Sequence, residues 1–273
     1  MDKTDGGKWN KYLTAGLVMT GLALLLGIVG LFWTPYSPTA MAASEKFAAP
    51  TLRHIFGTDN FGRDIFSRVM KGLSTTIVIG GLVVAFSASV GVLLGALTGY
   101  FGGIVDELVM RVTDAVNGFP SILLALVLIS ILGNGKQNVI LALGIVFVPS
   151  YVRIVRSEFI RLRDADYIKR ARLMGVGRAR ILFVHILPNI FSVFWVSVMI
   201  GFNNAILAES GMSYLGIGVQ PPDASLGKML SDAQGYLQNA PWYALAPGLT
   251  IVWVVLGFSL FSEGVRRRYG ELR

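Results

Sequence analysis

The sequence predicts an all-α polytopic membrane protein with about six transmembrane helices. Of its 273 residues, 53% are hydrophobic and 15% are charged, and the mean hydropathy is +0.62. The runs 13–33 and 73–105 contain no charged side chain, and each is as long as the roughly 20 apolar residues that cross a bilayer as a helix. Six such helices with short loops leave no room for a separate soluble domain of ordinary size.

Hydropathy divides the chain into polar tails, one isolated helix and a core of five further helices. The expected segments are a cytoplasmic tail at 1–12, a first transmembrane helix at 13–34, an extracytoplasmic segment at 35–72, the five-helix core at 73–262 and a cytoplasmic tail at 263–273. Within the core, the spans are expected at about 73–105, 107–132, 139–155, 188–208 and 246–261. The first apolar run is longer than the core of a signal peptide, so we expect it to remain as an uncleaved helix.

The distribution of lysine and arginine predicts the orientation. With both termini in the cytoplasm, about 17 of these side chains lie inside and about 7 lie outside, which satisfies the positive-inside rule. The net charge of +8 is therefore attributed to cytoplasmic loops. We expect the lipid bilayer as a partner and no nucleic acid.

A polar stretch between two apolar spans, residues 158–187, predicts a basic helical elbow. Asp164 is expected to be the N-cap of its first helix, and Gly175 stands where a helix commonly ends. The spacing i, i+4 and i+7 predicts one apolar stripe on this helix, formed by Tyr167, Ala171 and Met174. A second short helix is expected next, and Pro188 opens the following apolar run. A docking element and a solvated cytoplasmic loop both fit this pattern.

The sequence contains none of the usual catalytic or metal-binding arrangements. It has no cysteine, which excludes disulfides and thiolate metal sites. In the expected topology His54 and His185 lie on opposite sides of the membrane, so they cannot share a metal ion. The glycine spacing in 57–62 resembles a phosphate loop, but the chain continues with Arg63-Asp64 in place of Lys-Ser/Thr. We therefore expect no catalytic residue and no metal site.

Proline and polar residues within the spans are candidates for the lining of a translocation path. Pro120 is expected to kink the third span, and Asn203 and Asn204 place two amides in the fifth. The asparagines could instead pair with a neighbouring helix. Glycines repeat every four residues in the second span and predict close helix packing, at Gly91, Gly95 and Gly99.

The elbow resembles the coupling-loop signature of bacterial ABC importer permeases. That signature is Glu-Ala-Ala-x3-Gly-x9-Ile-x-Leu-Pro, and this chain matches it at Ala171, Gly175, Leu187 and Pro188. The chain departs at Lys169 and Arg170, where the pattern has Glu and Ala, and at His185, where it has Ile. Three further stretches resemble the dipeptide, oligopeptide and nickel permeases of this family, in the same order along the chain: 56–68, 110–120 and 212–222.

The resemblance implies the type I ABC importer permease fold and a chain that is not itself an enzyme. The implied partners are a second homologous permease subunit, two cytoplasmic ABC ATPases and an extracytoplasmic substrate-binding protein, assembled in a bacterial inner membrane. ATP and Mg²⁺ would bind to the partner ATPases, and this chain would bind no cofactor. The residues implied in coupling to an ATPase are Asp164, Tyr167, Lys169, Ala171, Met174, Gly175, Leu187 and Pro188.

Two questions stay open at the level of sequence. The cargo implied by the resemblance is dipeptides or oligopeptides, or else nickel or metal chelates; peptides are favoured because no metal-ligand set is evident. The alternative function is an ion-coupled secondary transporter, which needs a buried coupling acid and usually an internal repeat. Asp114 and Glu209 are the available acids, and no clear repeat is present.

Overall fold

The computed structural model describes residues 11–270, so the outer parts of both expected tails, 1–10 and 271–273, lie outside the described residues. The described chain forms ten α-helices: α1 (Lys11–Phe32), α2 (Ile65–Phe101), α3 (Gly103–Asn117), α4 (Ser121–Leu132), α5 (Lys136–Arg163), α6 (Asp166–Leu173), α7 (Arg178–Arg180), α8 (Leu187–Tyr214), α9 (Leu226–Ala233) and α10 (Pro241–Gly270). Within residues 11–270 there is no β-strand, only an isolated bridge between Thr58 and Asp64.

Five of these helices are long and apolar enough to cross a bilayer, namely α1, α2, α5, α8 and α10. Helices α3 and α4 meet the same criterion only as a pair, and their axes bend by 93° at the break between them. The prediction of an all-α protein with about six spans is thus confirmed, whereas the single kinked helix expected at 107–132 is wrong. Pro120 has no N–H to donate and disfavours helical backbone at Phe119, so the chain turns there.

Several helices extend beyond the spans that hydropathy indicated, and α2 and α5 show why. Helix α2 begins at Ile65, because Asp64 caps it: Oδ2 accepts the backbone N–H of Ser67 at 2.7 Å and the Ser67 hydroxyl at 2.6 Å. Helix α5 continues to Arg163, well past the predicted end at 155. Hydropathy locates the uncharged apolar part of a helix, and both extensions carry charged residues that interrupt this signal.

The chain divides into two compact units. Of the described residues, the first unit holds 11–80, 134–139 and 203–270. In it, α1 packs along α10 at glycines. A Cβ atom at Gly16 would lie 2.2 Å from the backbone nitrogen of Phe261, and one at Gly264 would lie 2.5 Å from the Cα of Leu13. Only glycine allows such close approach of two helix backbones.

The first unit also contains the turn whose glycine spacing resembles a phosphate loop. The fully buried carboxylate of Asp59 fills this turn. Its Oδ1 accepts the backbone N–H groups of Phe61 and Arg63 at 2.8 and 3.0 Å, and its Oδ2 accepts from Arg63 Nε at 2.6 Å. A side chain of the protein therefore takes the place that an anion would need, which agrees with the rejection of a P-loop.

The second unit holds residues 81–133 and 140–202. Here the three glycines of α2 face α5. A Cβ at Gly91 would lie 2.2 Å from the Cβ of Tyr151, and one at Gly99 would lie 2.6 Å from the Cβ of Phe159. The glycine repeat therefore serves packing within this chain, where dispersion and close backbone contact hold helices together.

Replacing Gly95 by leucine is expected to destabilise the second unit by about 1–3 kcal/mol, the cost of overpacking a tight core. A Cβ at this position would lie 2.7 Å from the carbonyl oxygen of Val152 and 2.8 Å from the Cβ of Val155. Thermal unfolding of the purified protein in detergent measures the effect. Gly21→Leu on α1 is the control, because a Cβ at Gly21 meets nothing within 4 Å; equal melting temperatures for the two variants would contradict the packing.

Candidate functional site

The predicted elbow lies in the second unit and begins where α5 ends. Helix α5 stops at Arg163, and α6 starts at Asp166 after a two-residue turn. Ala165 occupies the N-cap position and makes no side-chain cap, so the prediction that Asp164 is the N-cap is wrong. Because α5 is longer than expected, Asp164 falls in the turn, with its Oδ1 3.8 Å from Arg163 Nε and its side chain largely exposed.

Helix α6 has a buried face and an exposed face. Ile168 and Ala171 are 0% and 6% exposed, whereas Leu173 and Met174 are 88% and 77% exposed and Tyr167 is 43% exposed. The predicted stripe of Tyr167, Ala171 and Met174 is therefore wrong at Ala171, which packs into the protein. Ile168 and Ala171 are spaced i, i+3, and this pair forms the inward face.

The buried face of α6 joins an apolar cluster of the second unit. Its buried members are Tyr100, Val155, Phe159, Ile168, Ile181, Ile186 and Ile190. These side chains come from the end of α2, the end of α5, α6 and the chain that follows it. The elbow is therefore a packed part of the second unit, and the alternative of a merely solvated loop does not describe it.

Gly175 ends α6 as the sequence predicted. Its φ of +79° lies in the left-handed region that favours glycine. The N–H of Gly175 donates to the carbonyl of Arg172 at 3.0 Å, and the N–H of Val176 donates to the carbonyl of Ala171 at 3.0 Å. This pair of bonds is a Schellman motif, which turns the chain sharply and gives the elbow a defined shape.

The second half of the elbow is helical but irregular. The single turn α7 continues as a π-helix, Ile181–Ile186, in which the N–H of Leu187 donates to the carbonyl of Leu182. Leu187 is partly buried against the apolar cluster, and Pro188 is exposed in the first turn of α8. Proline lacks an N–H and is tolerated at a helix start. The Leu-Pro pair thus marks the entry into α8.

The exposed face of the elbow carries apolar and basic side chains together. Lys169 and Arg170 are exposed, and Lys169 Nζ lies 3.7 Å from Asp166 Oδ1. The guanidinium of Arg172 lies over the ring of Tyr100 at 5.6 Å, which ties the basic last turn to α2. We call Tyr167, Lys169, Arg170, Leu173 and Met174 the outer face of the elbow.

Leu173 is the residue that sequence reasoning missed. It is the last residue of α6 and one of the most exposed large apolar side chains in the described chain. The stripe was assigned by the spacing i, i+4 and i+7, which passes over Leu173. The sequence does contain a signal for Leu173, because two large apolar residues, Leu173 and Met174, stand together immediately before the helix-ending Gly175.

The candidates for a translocation path have different surroundings. Asn203 is 8% exposed, and its Nδ2 donates to Ser259 Oγ at 2.8 Å and to the carbonyl of Val255 at 3.3 Å. It therefore pairs with α10 inside the first unit, the second of the two options that the sequence left open. Asn204 is exposed on α8, and Pro120 is exposed at the bend of the second unit.

The described residues offer no metal centre. No group of three or more His, Asp and Glu side chains within residues 11–270 could hold a metal ion. His54 Nδ1 lies 2.8 Å from Asp64 Oδ1 in the first unit, while His185 lies in the π-helix of the second. Each histidine therefore belongs to its own local structure.

Comparison with known proteins gives consistent matches. The family described as binding-protein-dependent transport system inner membrane component matches residues 91–270. The dipeptide transport system permease protein DppC of Alkalihalophilus pseudofirmus is 40% identical over 259 residues, 95% of this chain and 85% of that protein. DppC of Haemophilus influenzae is 35% identical, over 95% of this chain and 90% of that protein. The glutathione transport system permease protein GsiD of Pectobacterium atrosepticum is 36% identical, over 94% and 88%.

These matches confirm the resemblance that the elbow signature indicated. They cover the elbow and nearly all of the described helices, and they do not favour an ion-coupled secondary transporter. The chain is a multi-pass membrane protein and a non-catalytic transport subunit, as the sequence predicted. It belongs to the family of inner-membrane components of binding-protein-dependent transport systems.

Proposed function

We propose that the chain is one permease subunit of an ATP-driven importer of dipeptides or short oligopeptides. The observation that carries the proposal is the outer face of the elbow, an exposed apolar and basic surface mounted on a buried apolar cluster. A surface built in this way suits a partner protein. The names of the relatives, which specify dipeptide and glutathione transport, support a peptide cargo over nickel or metal chelates.

The proposed complex contains this chain, a second homologous permease subunit, two ABC ATPases and an extracytoplasmic binding protein. ATP and Mg²⁺ bind to the ATPases, and this chain binds no cofactor. Both termini and the elbow face the cytoplasm of the bacterium, because this orientation places most lysines and arginines inside. The elbow then lies on the side of the membrane where ATP is available.

The elbow transmits force as a rigid body in this proposal. Closure of the ATPases displaces α6, and the buried Ile168 passes the displacement to α5 and to the start of α8 through the apolar cluster. The spans then rock between inward-open and outward-open states. Gly175 sets the turn, and Leu187 and Pro188 fix the entry into α8. Asp164 lies in the turn that joins α5 to α6.

The charge of the outer face predicts the chemistry of the partner's groove. Lys169 and Arg170 stand where the family signature has Glu and Ala, so the elbow presents positive charge at this point. Complementary potentials favour docking of the correct partner. We therefore expect the receiving groove of the ATPase to be acidic beside an apolar pocket for Leu173 and Met174.

Leu173→Asp is expected to abolish co-purification of the ATPases and ATP-dependent uptake, because it places a charge in the apolar centre of the outer face. The chain should still insert and fold, since Leu173 is 88% exposed. Leu237→Asp is the matched control, at a leucine that is 55% exposed beyond α9, and it should retain the ATPases. Equal retention of the ATPases by both variants would remove the outer face from docking.

The proposed orientation predicts opposite labelling of two single cysteines. The chain contains no native cysteine, so Asp166→Cys on α6 and Gln238→Cys before α10 can be labelled without background. A membrane-impermeant maleimide should label Gln238→Cys in intact cells and Asp166→Cys only after permeabilisation. Labelling of Asp166→Cys in intact cells would place the elbow outside and refute the proposal.

Uptake by the complete transporter tests the cargo. Vesicles that contain both permeases and both ATPases, supplied with the matching binding protein, should accumulate a labelled dipeptide when ATP is present. Nickel supplied under the same conditions should not accumulate. Nickel uptake without peptide uptake would contradict the proposed cargo, and peptide uptake without ATP would contradict the energy source.

A further inference from the structure

Two ion pairs join α3 to α5 within the second unit. Arg156 engages both carboxylate oxygens of Asp106, with Nε 2.5 Å from Oδ1 and Nη2 2.6 Å from Oδ2. Arg153 Nη2 lies 2.7 Å from Asp114 Oδ1. A two-point contact between arginine and a carboxylate fixes orientation as well as distance. We call the pairs Asp106–Arg156 and Asp114–Arg153 the α3 clamp.

Most side chains of α3 are exposed or only partly buried. Of its residues, all of which lie in the described part of the chain, Thr113 alone is buried. Four of its large apolar side chains are between 49% and 77% exposed, namely Ile104, Val105, Leu108 and Val112, and three others are partly buried, namely Val109, Met110 and Val116. Since Thr113 is the one buried side chain of α3, the clamp adds contacts that help to fix the register of α3 on α5.

The segment of α5 that bears the two arginines also supports the elbow. Val155 and Phe159 pack with Ile168 of α6 in the apolar cluster, and Arg163 Nη1 donates to the carbonyl of Gly99 at 3.3 Å. A displacement of α6 therefore reaches the segment 153–156 through close-packed side chains, which deform little.

We propose that Asp106 and Asp114 are positioning residues that make α3 move with the elbow. The clamp carries the displacement along α3 to Gly118–Pro120, where the chain bends by 93° into α4. The inference rests on the proposed function, because it assigns to the clamp the second half of the path from the ATPases to the membrane spans. The elbow supplies the motion, and the clamp determines which helix follows it.

Neutralisation of charge does not by itself account for these pairs. Glu107 and Arg111 neutralise each other within α3 at the spacing i, i+4, with the closest atoms 2.6 Å apart and both side chains exposed. Asp106 and Asp114 instead reach across to α5. The pair Glu107–Arg111 therefore serves as an internal control, a similar ion pair on the same helix that joins nothing.

The double variant Asp106→Asn/Asp114→Asn tests the inference in the complete transporter. We expect ATP-dependent uptake to fall by about tenfold or more, the factor that a loss of about 1.4 kcal/mol in a coupling equilibrium produces. Co-purification of the ATPases and docking of the binding protein should be unchanged, while loaded binding protein should no longer stimulate ATP hydrolysis. Glu107→Gln should retain full uptake. Full uptake by the double variant would overturn the inference.

Cross-linking gives a second test that does not depend on the loss of charge. A disulfide requires Cα atoms about 4.4–6.8 Å apart, whereas an Asp–Arg pair spans a longer distance, so a short bis-maleimide suits the variant Asp114→Cys/Arg153→Cys. Uptake should be higher after cross-linking than before it, because the link replaces the ion pair. Equal or lower uptake after cross-linking would show that α3 need not, or must not, stay fixed to α5.

The two tests separate the inference from the proposed function. If the unmodified complex shows no ATP-dependent peptide uptake, the proposed function fails, whatever the clamp variants do. If the unmodified complex transports peptide and the Leu173→Asp variant does not, while the double Asn variant transports normally, the clamp alone is refuted.

Discussion

The structure of the second unit depends on the burial of one face of a short basic helix. Ile168 turns inward from α6 and packs with Val155, Phe159 and three later isoleucines, and Ala171 is buried on the same face of α6. An isolated helix of eight residues is not stable in water, so α6 keeps its shape through this contact. The same contact leaves Tyr167, Leu173 and Met174 exposed, and it thereby determines which surface a partner can bind.

Close backbone contact is the means by which the longer helices hold one another. An apolar side chain gains little free energy when it moves from lipid to a contact between helices. Helices in a membrane therefore associate through dispersion and through small residues at their contacts. The glycines of α2 meet this requirement where they face α5. Those of α1 meet it where they face α10, and those of α10 where they face α1. A unit packed in this way has low compressibility, which lets a displacement at one end of α5 appear along its length.

The sequence predicted the features that depend on local chemistry. Gly175 was assigned as a helix end, and it has a positive φ and a Schellman motif; Pro120 was assigned as a disturbance, and the chain breaks there. Among features that depend on tertiary contact, the close packing at the glycine repeat of α2 was predicted, but the inward facing of Ala171 was not. The spacing places Ala171 in a stripe with Tyr167 and Met174, whereas in the structure Ala171 is buried and shares the inward face of α6 with Ile168. The sequence predicts Asp164 as a cap because hydropathy ends the preceding span near residue 155. In the structure α5 continues to Arg163, so Asp164 lies in the turn and Ala165 is the N-cap.

The charged residues of α3 show the same limit of prediction from sequence, because their partners are visible only in the structure. Sequence alone presents Asp114 as one of two acids available to an ion-coupled transporter. The structure gives it a partner, Arg153, and places a second acid, Asp106, against Arg156. A charged side chain near lipid costs free energy. An exposed ion pair within one helix, such as Glu107–Arg111, offsets that cost because the two charges cancel. An ion pair between two helices offsets this cost and also fixes one helix relative to the other. In the proposed complex, where motion arrives from the partner ATPases, such links would decide how far from the elbow that motion extends.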